Sequence, residues 1–585
     1  MTPRAAGSDT DTDTDLDPIT FAVLKNALDA IVDEVAYTVI RTARSEIVKD
    51  VMDYSAAICD RKGRMIAQAK TIALHLGAVP EAMDAMLAQY GNDLHPGDAV
   101  IVNDPYQGGM HLPDIFMFVP FFHGGAVEGF CVVICHHTDV GGRVPGSNAS
   151  DSTEIFQEGL RIPVVKLYER GQVNDMLERL IGLNVRVPDR VLGDLKAQYA
   201  ASRVGVRELG RLFDRYGAAT MHRYLDELLD YAERLTRDEI RRWPKGSFTF
   251  LDHIDDDGLS PDPIPIRVTI TVHDEHVSVD YAGSAPQVKA AINSTLSYTK
   301  SCTYLSVRCA LKGDIPNNAG VFRCIEVTVP EGSVLNPESP AAVAARALTG
   351  YRVFDAMLGA LAQIVPDRIP AAGEGGNTVV CLSGRRADRR PFIIVDMICG
   401  AWGARPGGDG IEAITNASQN LSNTPVETLE AQHPVRIEAY ELIEDSCGAG
   451  KWRGGLGVRR SFRVLADEAF MQLRADRMKF APYPLAGGEP GSFARNRLEE
   501  DGTVRDLPSK TTGWLRQGAL VVHDQPGGGG FGDPLERDPA RVARDVWNGK
   551  ITAAFARRHH AVVVDGPSGV LDEAATRALR AGAGA

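Results

Sequence analysis

The chain has 585 residues, of which 44% are hydrophobic and 24% charged, a composition typical of a globular protein with several domains. With a formal net charge of −14, the chain as a whole lacks the excess of basic residues that is typical of nucleic-acid-binding proteins. No apolar run approaches the roughly 18 residues that would predict a transmembrane helix. Nine scattered cysteines without a Cys-x-x-Cys pair indicate free thiols, as expected in the cytoplasm.

The first 172 residues predict a leader followed by an N-terminal lobe. Residues 1–17 are rich in Asp and Thr and have no hydrophobic stretch, so we expect a disordered segment rather than a signal peptide. The N-terminal lobe, residues 18–172, is expected to carry a metal site. Its spacing of apolar residues predicts these elements: a helix over 18–46, strands over 53–60 and 65–68, a helix near 80–90 and a strand over 97–102.

The rest of the chain divides into four further predicted segments. Residues 173–245 should form a helical connector, and residues 376–565 a strand-rich, glycine-rich region before a frayed tail at 566–585. Residues 246–375 should be a middle region of mixed structure, with strands over 247–282, helices over 286–312 and 339–364, and a strand over 321–329. We therefore predict an α+β fold with several domains.

Two His-x-x-Asp units lie at the ends of one predicted β-hairpin. They are His111 with Asp114, and His136 with Asp139. Imidazoles and carboxylates are the usual ligands of a divalent metal, and three protein ligands would leave positions open for chemistry. The same residues could instead satisfy backbone groups at the end of a sheet.

The length of the hairpin loop decides which side chains meet. A three-residue loop after His123 sets Asp114 opposite His136, with Cβ atoms roughly 4.5–5.5 Å apart. A two-residue loop shifts the register by one and turns His137 towards Asp114. Because successive strand residues face opposite ways, both histidines should not bind one ion. Asp139 is expected to hold a ligand imidazole as an outer carboxylate.

Other signals are weaker. Asn103, Asp104 and Arg346 are candidate substrate contacts, although Arg346 could equally be a surface charge on a helix. The segment around Gly448 superficially resembles a P-loop, but Trp452 stands where the magnesium-binding Ser or Thr is needed. The chain therefore shows no nucleotide-binding motif.

Taken together, these motifs resemble the hydantoinase B / oxoprolinase family. The resemblance extends from about residue 17 to 552 and reaches, more distantly, the metal-binding subunit of acetone carboxylases. It is carried by Asn103-Asp104-Pro105, the two His-x-x-Asp units, and residues 316–320, 423–427, 448–455 and 529–534.

The resemblance implies a ligand set and a reaction. Matched by position to the acetone carboxylase branch, the metal ligands are His111, Asp114 and His136, with zinc, manganese or iron all suitable. Asp139 or His137 would then orient groups or relay protons.

By the same resemblance, the chain is expected to be a subunit of an ATP-dependent hydrolase that opens hydantoin or 5-oxoproline rings. ATP would be bound by an A-type partner subunit in a hetero-oligomer, A2B2 or larger. A ketone carboxylase subunit is the alternative, and a non-catalytic scaffold for the A-type partner is a third possibility.

Overall fold

A computed structural model describes residues 16–375 and 378–583, so most of the predicted leader lies outside the described residues. Helices and sheets are mixed along the chain, in agreement with the predicted class. The described helices are α1 (Pro18–Thr42), α2 (Glu46–Lys49), α3 (Ala73–Leu76), α4 (Val79–Tyr90), α5 (Asp175–Asn184), α6 (Pro188–Tyr216), α7 (Ala218–Arg241), α8 (Leu296–Ala310), α9 (Ala319–Phe322), α10 (Arg346–Ile364), α11 (Val426–Gln432), α12 (Pro539–Trp547), α13 (Ala553–His560) and α14 (Glu573–Ala583). None of them is long and apolar enough to cross a membrane.

Within the described residues, the strands fall into five sheets. The first three strands of the chain are β1 (Tyr54–Asp60), β2 (Met65–Gln68) and β3 (Ala99–Val102), followed by β4 (Asp114–His123), β5 (Ala126–His136), β6 (Val165–Glu169) and β7 (Gln172–Val173). The middle region holds β8 (Gly246–Ile254), β9 (Ile264–Val272), β10 (Val277–Asp280) and β11 (Ile325–Thr328). Beyond it lie β12 (Val379–Arg385), β13 (Pro391–Met397), β14 (Val435–Leu442), β15 (Val458–Val464), β16 (Glu468–Arg474), β17 (Arg495–Glu500), β18 (Thr503–Leu507), β19 (Lys510–Arg516), β20 (Leu520–Asp524), β21 (Val564–Asp565) and β22 (Val570–Leu571).

The first helix begins where its sequence provides a cap. The Asp17 carboxylate accepts hydrogen bonds from the backbone N–H groups of Ile19 and Thr20, and Pro18 occupies the first turn. Its buried side chains recur at helical spacing, among them Leu24, Leu28 and others as far as Val39. This face packs on α6 and on β1.

A seven-stranded antiparallel sheet, in the order β2-β1-β5-β4-β3-β6-β7, positions the candidate site. Both faces of β4 are buried: Phe116 and Phe118 join the largest apolar cluster, whereas Ile115, Met117 and Val119 join a second one. A strand buried on both faces reads as a continuous apolar run, as this one does.

The β4–β5 hairpin corrects one part of the sequence prediction. The loop has two residues, Gly124 and Gly125, with φ of +60° and +87°, and His123 pairs with Ala126. These positive φ values favour glycine. Glu128 is then an extra residue, a β-bulge, because Phe122 pairs with Val127 but Phe121 with Gly129. The bulge restores the shifted register.

The remaining sheets are built mainly from antiparallel pairs. Their strand orders are β11-β10-β9-β8, β13-β12-β16-β19, β14-β15-β20-β17-β18 and β21-β22, and β10 and β11 run parallel. The largest apolar cluster runs from Leu24 to Leu421, so all four predicted segments between residues 18 and 565 contribute to it. The domain boundaries themselves remain a prediction.

Several predicted elements differ from the structure. The helices expected from residues 286 and 339 begin only at Leu296 and Arg346. In the first case Asn293 donates to three backbone carbonyl groups, including that of Ala342, and such side-chain bonds compete with helix formation. Pro340 similarly disfavours a helix before Arg346. The strand expected over 321–329 is split between α9 and β11.

The predicted frayed tail is wrong for its described part. Residues 573–583 form α14, and Arg580 donates hydrogen bonds to the carbonyl oxygens of His560 and Arg537. Ala-rich sequence favours a helix when another part of the chain can hold it in place.

Candidate metal centre

Three side chains from the hairpin ends converge on one point. His111 lies just before β4, Asp114 begins β4 and His136 ends β5. Asp114 and His136 are directly paired across the ladder. One potential ligand atom from each of the three lies within 4.8 Å of the other two, and all three side chains are buried. The predicted triad is therefore brought together.

The tautomer of His111 is fixed by its surroundings. Its Nδ1 lies 3.0 Å from the carbonyl oxygen of Ala344, so Nδ1 must carry the proton and donate it. Burial and the nearby charge of Arg346 lower its pKa to about 4, so the ring is neutral at neutral pH. The lone pair of Nε2 then faces the Asp114 Oδ1 atom, 3.2 Å away.

Asp114 divides its two oxygens between different partners. Oδ2 accepts a hydrogen bond from the Arg346 guanidinium at 2.5 Å. Burial alone would raise the pKa of Asp114, but His111 and Arg346 hold this pKa well below its ordinary value. Across the described residues, neither Oδ1 nor His111 Nε2 has a hydrogen-bond partner. Two buried acceptors in contact are stabilised by a cation between them.

His136 completes the cluster. Its ring centre is 5.1 Å from that of His111, and burial holds its pKa well below the ordinary value. Nε2 lies 3.4 Å from the Asn148 amide nitrogen, and Arg474 donates to the Asn148 oxygen at 2.7 Å. Nδ1 finds no hydrogen-bond partner in the part of the chain that is described. Two neutral imidazoles and one carboxylate fit a divalent transition metal, with positions left open.

The structure shows that Arg346 lies beside the triad, while its predicted contact with substrate stays a prediction. Arg346 is the first residue of α10 and is buried, with its guanidinium 4.5 Å from the ring centre of Tyr298. Stacking on the aromatic face and pairing with Asp114 fix its orientation. Arg346 is thus a buried partner of a candidate ligand and not a surface charge.

Two buried residues of the site were missed by the sequence analysis. His75 Nε2 lies 3.5 Å from Asp53 Oδ1 and 4.0 Å from Asp114 Oδ2, while its Nδ1 lies 3.2 Å from the Ser55 hydroxyl. Burial raises the pKa of Asp53 and lowers that of His75 to about 4. Neither belongs to a motif, and their only signal is a polar side chain within an apolar stretch.

The contacts of His137 and Asp139 correct their expected roles. His137 Nε2 is 3.1 Å from the Gln198 side-chain oxygen. The Gln198 amide nitrogen donates to two strand carbonyl groups, so the oxygen is the atom that faces His137 and accepts from its Nε2–H. Asp139 accepts hydrogen bonds from the backbone of Gly141, Gly146 and Arg186. His137 therefore faces α6, and Asp139 organises the loop after β5 instead of holding an imidazole.

Asn103 holds three backbone groups in place. Its amide donates to the carbonyl groups of Leu112 and Leu160 and accepts from the N–H of Ile162, so both donors and one acceptor position are used within the protein. A contact between Asn103 and substrate stays a prediction. Asp104 pairs with Arg161 at 2.8 Å and lines an open groove of about 530 Å³. The structure places it there and not in the triad.

Glu158 links this region to the triad through the backbone. Its Oε1 accepts hydrogen bonds from the N–H groups of Val343 and Ala344, at 2.8 and 2.9 Å. Burial raises its pKa to about 8. Since the Ala344 carbonyl accepts from His111, Glu158 helps to set the position of that imidazole.

Comparison with known proteins places the chain in a family. A model described as "Hydantoinase B/oxoprolinase" matches residues 17–534. The putative D-/L-hydantoinase B-type subunit of Pseudomonas sp. (strain NS671) is 33% identical over 568 residues, 94% of this chain and 95% of that protein. The beta chain of the caprolactamase of Pseudomonas jessenii is 34% identical over 582 residues, covering 97% and 99%. Both relatives are named as subunits.

Two solved structures share the fold. The crystal structure of the ATP-dependent caprolactamase from Pseudomonas jessenii has a TM-score of 0.90 and 33% identity, covering 97% of this chain and 100% of that chain. A nucleotide-free acetone carboxylase also has a TM-score of 0.90, covering 97% and 83%, but its 20% identity shows likeness of fold alone. The chain belongs to the hydantoinase B / oxoprolinase family.

Proposed function

We propose that this chain is the metal-binding subunit of an ATP-dependent hydrolase of cyclic amides. The observation that carries the proposal is the contact between His111 Nε2 and Asp114 Oδ1, two buried acceptors with no hydrogen-bond partner among the described residues. Relatives named as a hydantoinase subunit and a caprolactamase subunit support the substrate class.

Each residue of the site would have a distinct task. His111, Asp114 and His136 would hold a divalent ion, which would supply Lewis acidity and lower the pKa of a bound water. The Ala344 carbonyl keeps His111 Nε2 free of a proton. Arg346 keeps Asp114 ionised and binds its Oδ2 atom, which leaves Asp114 Oδ1 facing the two histidines. These contacts hold the donor atoms in place without relying on substrate.

ATP would be bound by an A-type partner subunit, which would phosphorylate the carbonyl oxygen of the ring before hydrolysis. The lack of a P-loop in the sequence and the subunit names of the relatives support this division. An assembly of A2B2 or larger is part of the proposal. A cytoplasmic location is also proposed, on the basis of nine free thiols.

Replacement of one ligand tests the proposal directly. Mutation of a residue that hydrogen-bonds a metal ligand typically lowers metal affinity by roughly 10- to 100-fold. Because His111→Ala removes a ligand itself, we expect a larger loss of metal affinity. Metal content would be measured by elemental analysis, and turnover of hydantoin, 5-oxoproline and caprolactam with the A-type partner and ATP.

His137→Ala is the matched control, because it removes a buried imidazole that follows His136 in the chain but lies outside the triad. It should retain the metal. Full metal content and turnover in His111→Ala would disprove the site. Bicarbonate-dependent consumption of a ketone would instead identify a carboxylase, and absence of stoichiometric metal in the natural chain would favour a scaffold.

A further inference from the structure

A second candidate binding site lies beside α10, away from the triad. It is a cavity of about 160 Å³ between α10 and the loops that follow α10 and β13. Its walls are largely apolar and include Phe354, Leu358, Ile369 and Trp402. The described contacts assign it no part in the metal centre.

One wall carries a buried amide whose donor end is free. The Asn416 oxygen accepts from both the backbone N–H and the hydroxyl of Ser418, which fixes the orientation of the amide. Its Nδ2 has no hydrogen-bond partner within residues 16–375 and 378–583, although Asn416 is only 8% exposed. Leaving a buried donor unpaired is unfavourable, so an acceptor from a ligand would be stabilising here.

A second donor lies on the same cavity. Arg368 Nε is buried and, among the residues with described positions, donates to no acceptor, since Asp367 Oδ1 is 3.8 Å away. The charge of Arg368 is already balanced, because its guanidinium donates to Glu239 at 2.5 Å.

Two other charged residues line the cavity: Asp355, which pairs with Arg352 and Arg477, and Arg405, which is exposed. The two buried donors, Asn416 Nδ2 and Arg368 Nε, therefore offer hydrogen bonds without a surplus positive charge of their own. This favours a neutral carbonyl over a carboxylate beside Asn416.

The size of the cavity restricts the ligand further. A dry engineered cavity of about 150 Å³ accommodates benzene, so this one suits a single small ring. We propose that the cavity binds one neutral cyclic amide, with its ring against Trp402 and its carbonyl oxygen towards Asn416. The choice of a cyclic amide among neutral carbonyl compounds rests on the proposed function.

The site would be separate from the metal centre but connected to it. Phe354 follows Arg346 by eight residues on α10, roughly 12 Å along the helix axis, which is too far for one small ring to reach both. The loop that contributes Asn416 also contacts the other region, because the Ser418 carbonyl accepts from the N–H of Leu74, next to His75.

Binding of ε-caprolactam and hydantoin to the full chain tests the proposal without metal, ATP or partner. Calorimetric titration should give saturable binding in the millimolar range. Asn416→Asp keeps the oxygen bonded to Ser418 but removes the donors, and should weaken binding at least tenfold. Ala417→Leu, which fills the cavity, should abolish binding, whereas the metal-site variant His111→Ala should bind normally.

Two matched controls lie outside the cavity. Asn420→Asp changes an exposed amide in the same loop, and Ala387→Leu enlarges an exposed alanine; both should bind as the natural chain does. Thermal melting would verify that each variant is folded. Absence of saturable binding, or binding lost in His111→Ala but kept in Asn416→Asp, would overturn the proposal. Failure of turnover or metal binding alone would count against the proposed function and leave this result intact.

Discussion

At the scale of single residues, the triad is made specific by groups that bind its outer atoms. Ala344 determines which nitrogen of His111 is protonated, and Arg346 occupies one oxygen of Asp114. The hairpin pattern brought the candidate residues together, and the family resemblance selected His111, Asp114 and His136 among them. The sequence could not predict Asp53 or His75, because their proximity depends on packing between segments distant from the hairpin in the chain.

Glu158 provides a pH-dependent test at this scale. The unfolded carboxyl has a pKa near 4.5, whereas burial raises that of the folded protein to about 8. Between these values the unfolded chain loses a proton that the folded chain keeps. The free energy of unfolding should therefore fall as pH rises, by up to about 1.4 kcal/mol per pH unit.

The variant Glu158→Gln isolates this contribution, since its amide oxygen can still accept the two backbone hydrogen bonds. Urea unfolding at pH 5.5, 6.5 and 7.5 should show the variant gaining stability relative to the natural chain as pH rises. Parallel profiles for the two proteins would mean that Glu158 is ionised throughout this range.

At the scale of elements, the hairpin depends on a bulge for its register. A two-residue turn and an uninterrupted ladder would have set Asp114 opposite Cys135, but Glu128 adds the residue that restores pairing with His136. Loop length alone was therefore not enough to predict the register. The bulge has no clear signature in the sequence, where Glu128 is simply a polar residue within an apolar strand. In the structure the Glu128 carboxylate lies 2.5 Å from His222.

Deletion of Glu128 should leave metal binding intact. The shortened strand would form a regular ladder from the same turn, with Asp114 still opposite His136. Deletion of Val132 is the matched change, because it moves His136 by one position to the other face and should abolish metal binding. Metal content per chain is the measurement, and metal loss in a folded Glu128 deletion would disprove this account of the register.

Two glycines of α10 allow a comparison within one helix. A Cβ at Gly350 would lie 2.2 Å from Tyr298, on which Arg346 stacks, and a Cβ at Gly359 would lie 2.6 Å from Phe250. Alanine at either position should lower the free energy of unfolding by about 1–3 kcal/mol through overpacking. Only Gly350→Ala should also weaken metal binding, and equal metal affinity in both variants would contradict this role for Tyr298.

At the scale of the whole molecule, the site depends on distant parts of the chain. The ligands come from the N-terminal lobe, but Ala344 and Arg346 come from the middle region, and Arg474 contacts Asn148 from β16. The alternation of strands and helices predicted the mixed fold, while these contacts between distant segments have no signature in a single sequence.

A split chain tests this dependence. Residues 1–245 expressed alone should lack the metal, because the partners of His111 and Asp114 are missing. Co-expression with residues 246–585 should restore metal binding. Metal content and circular dichroism would be measured for both samples, and a folded fragment with the affinity of the full chain would show that the outer contacts are dispensable.

The pairing of Asp114 with Arg346 also sets the electrostatic preference of the centre. Asp114 is already neutralised and both histidines are neutral, so a bound divalent ion would retain close to two positive charges inside the protein. Charges interact several-fold more strongly there than in water. The centre should therefore prefer ligands that bring negative charge, such as a phosphorylated ring. The metal centre and the cavity beside α10 would then have opposite preferences: the cavity would bind the neutral ring, and the metal centre its charged derivative.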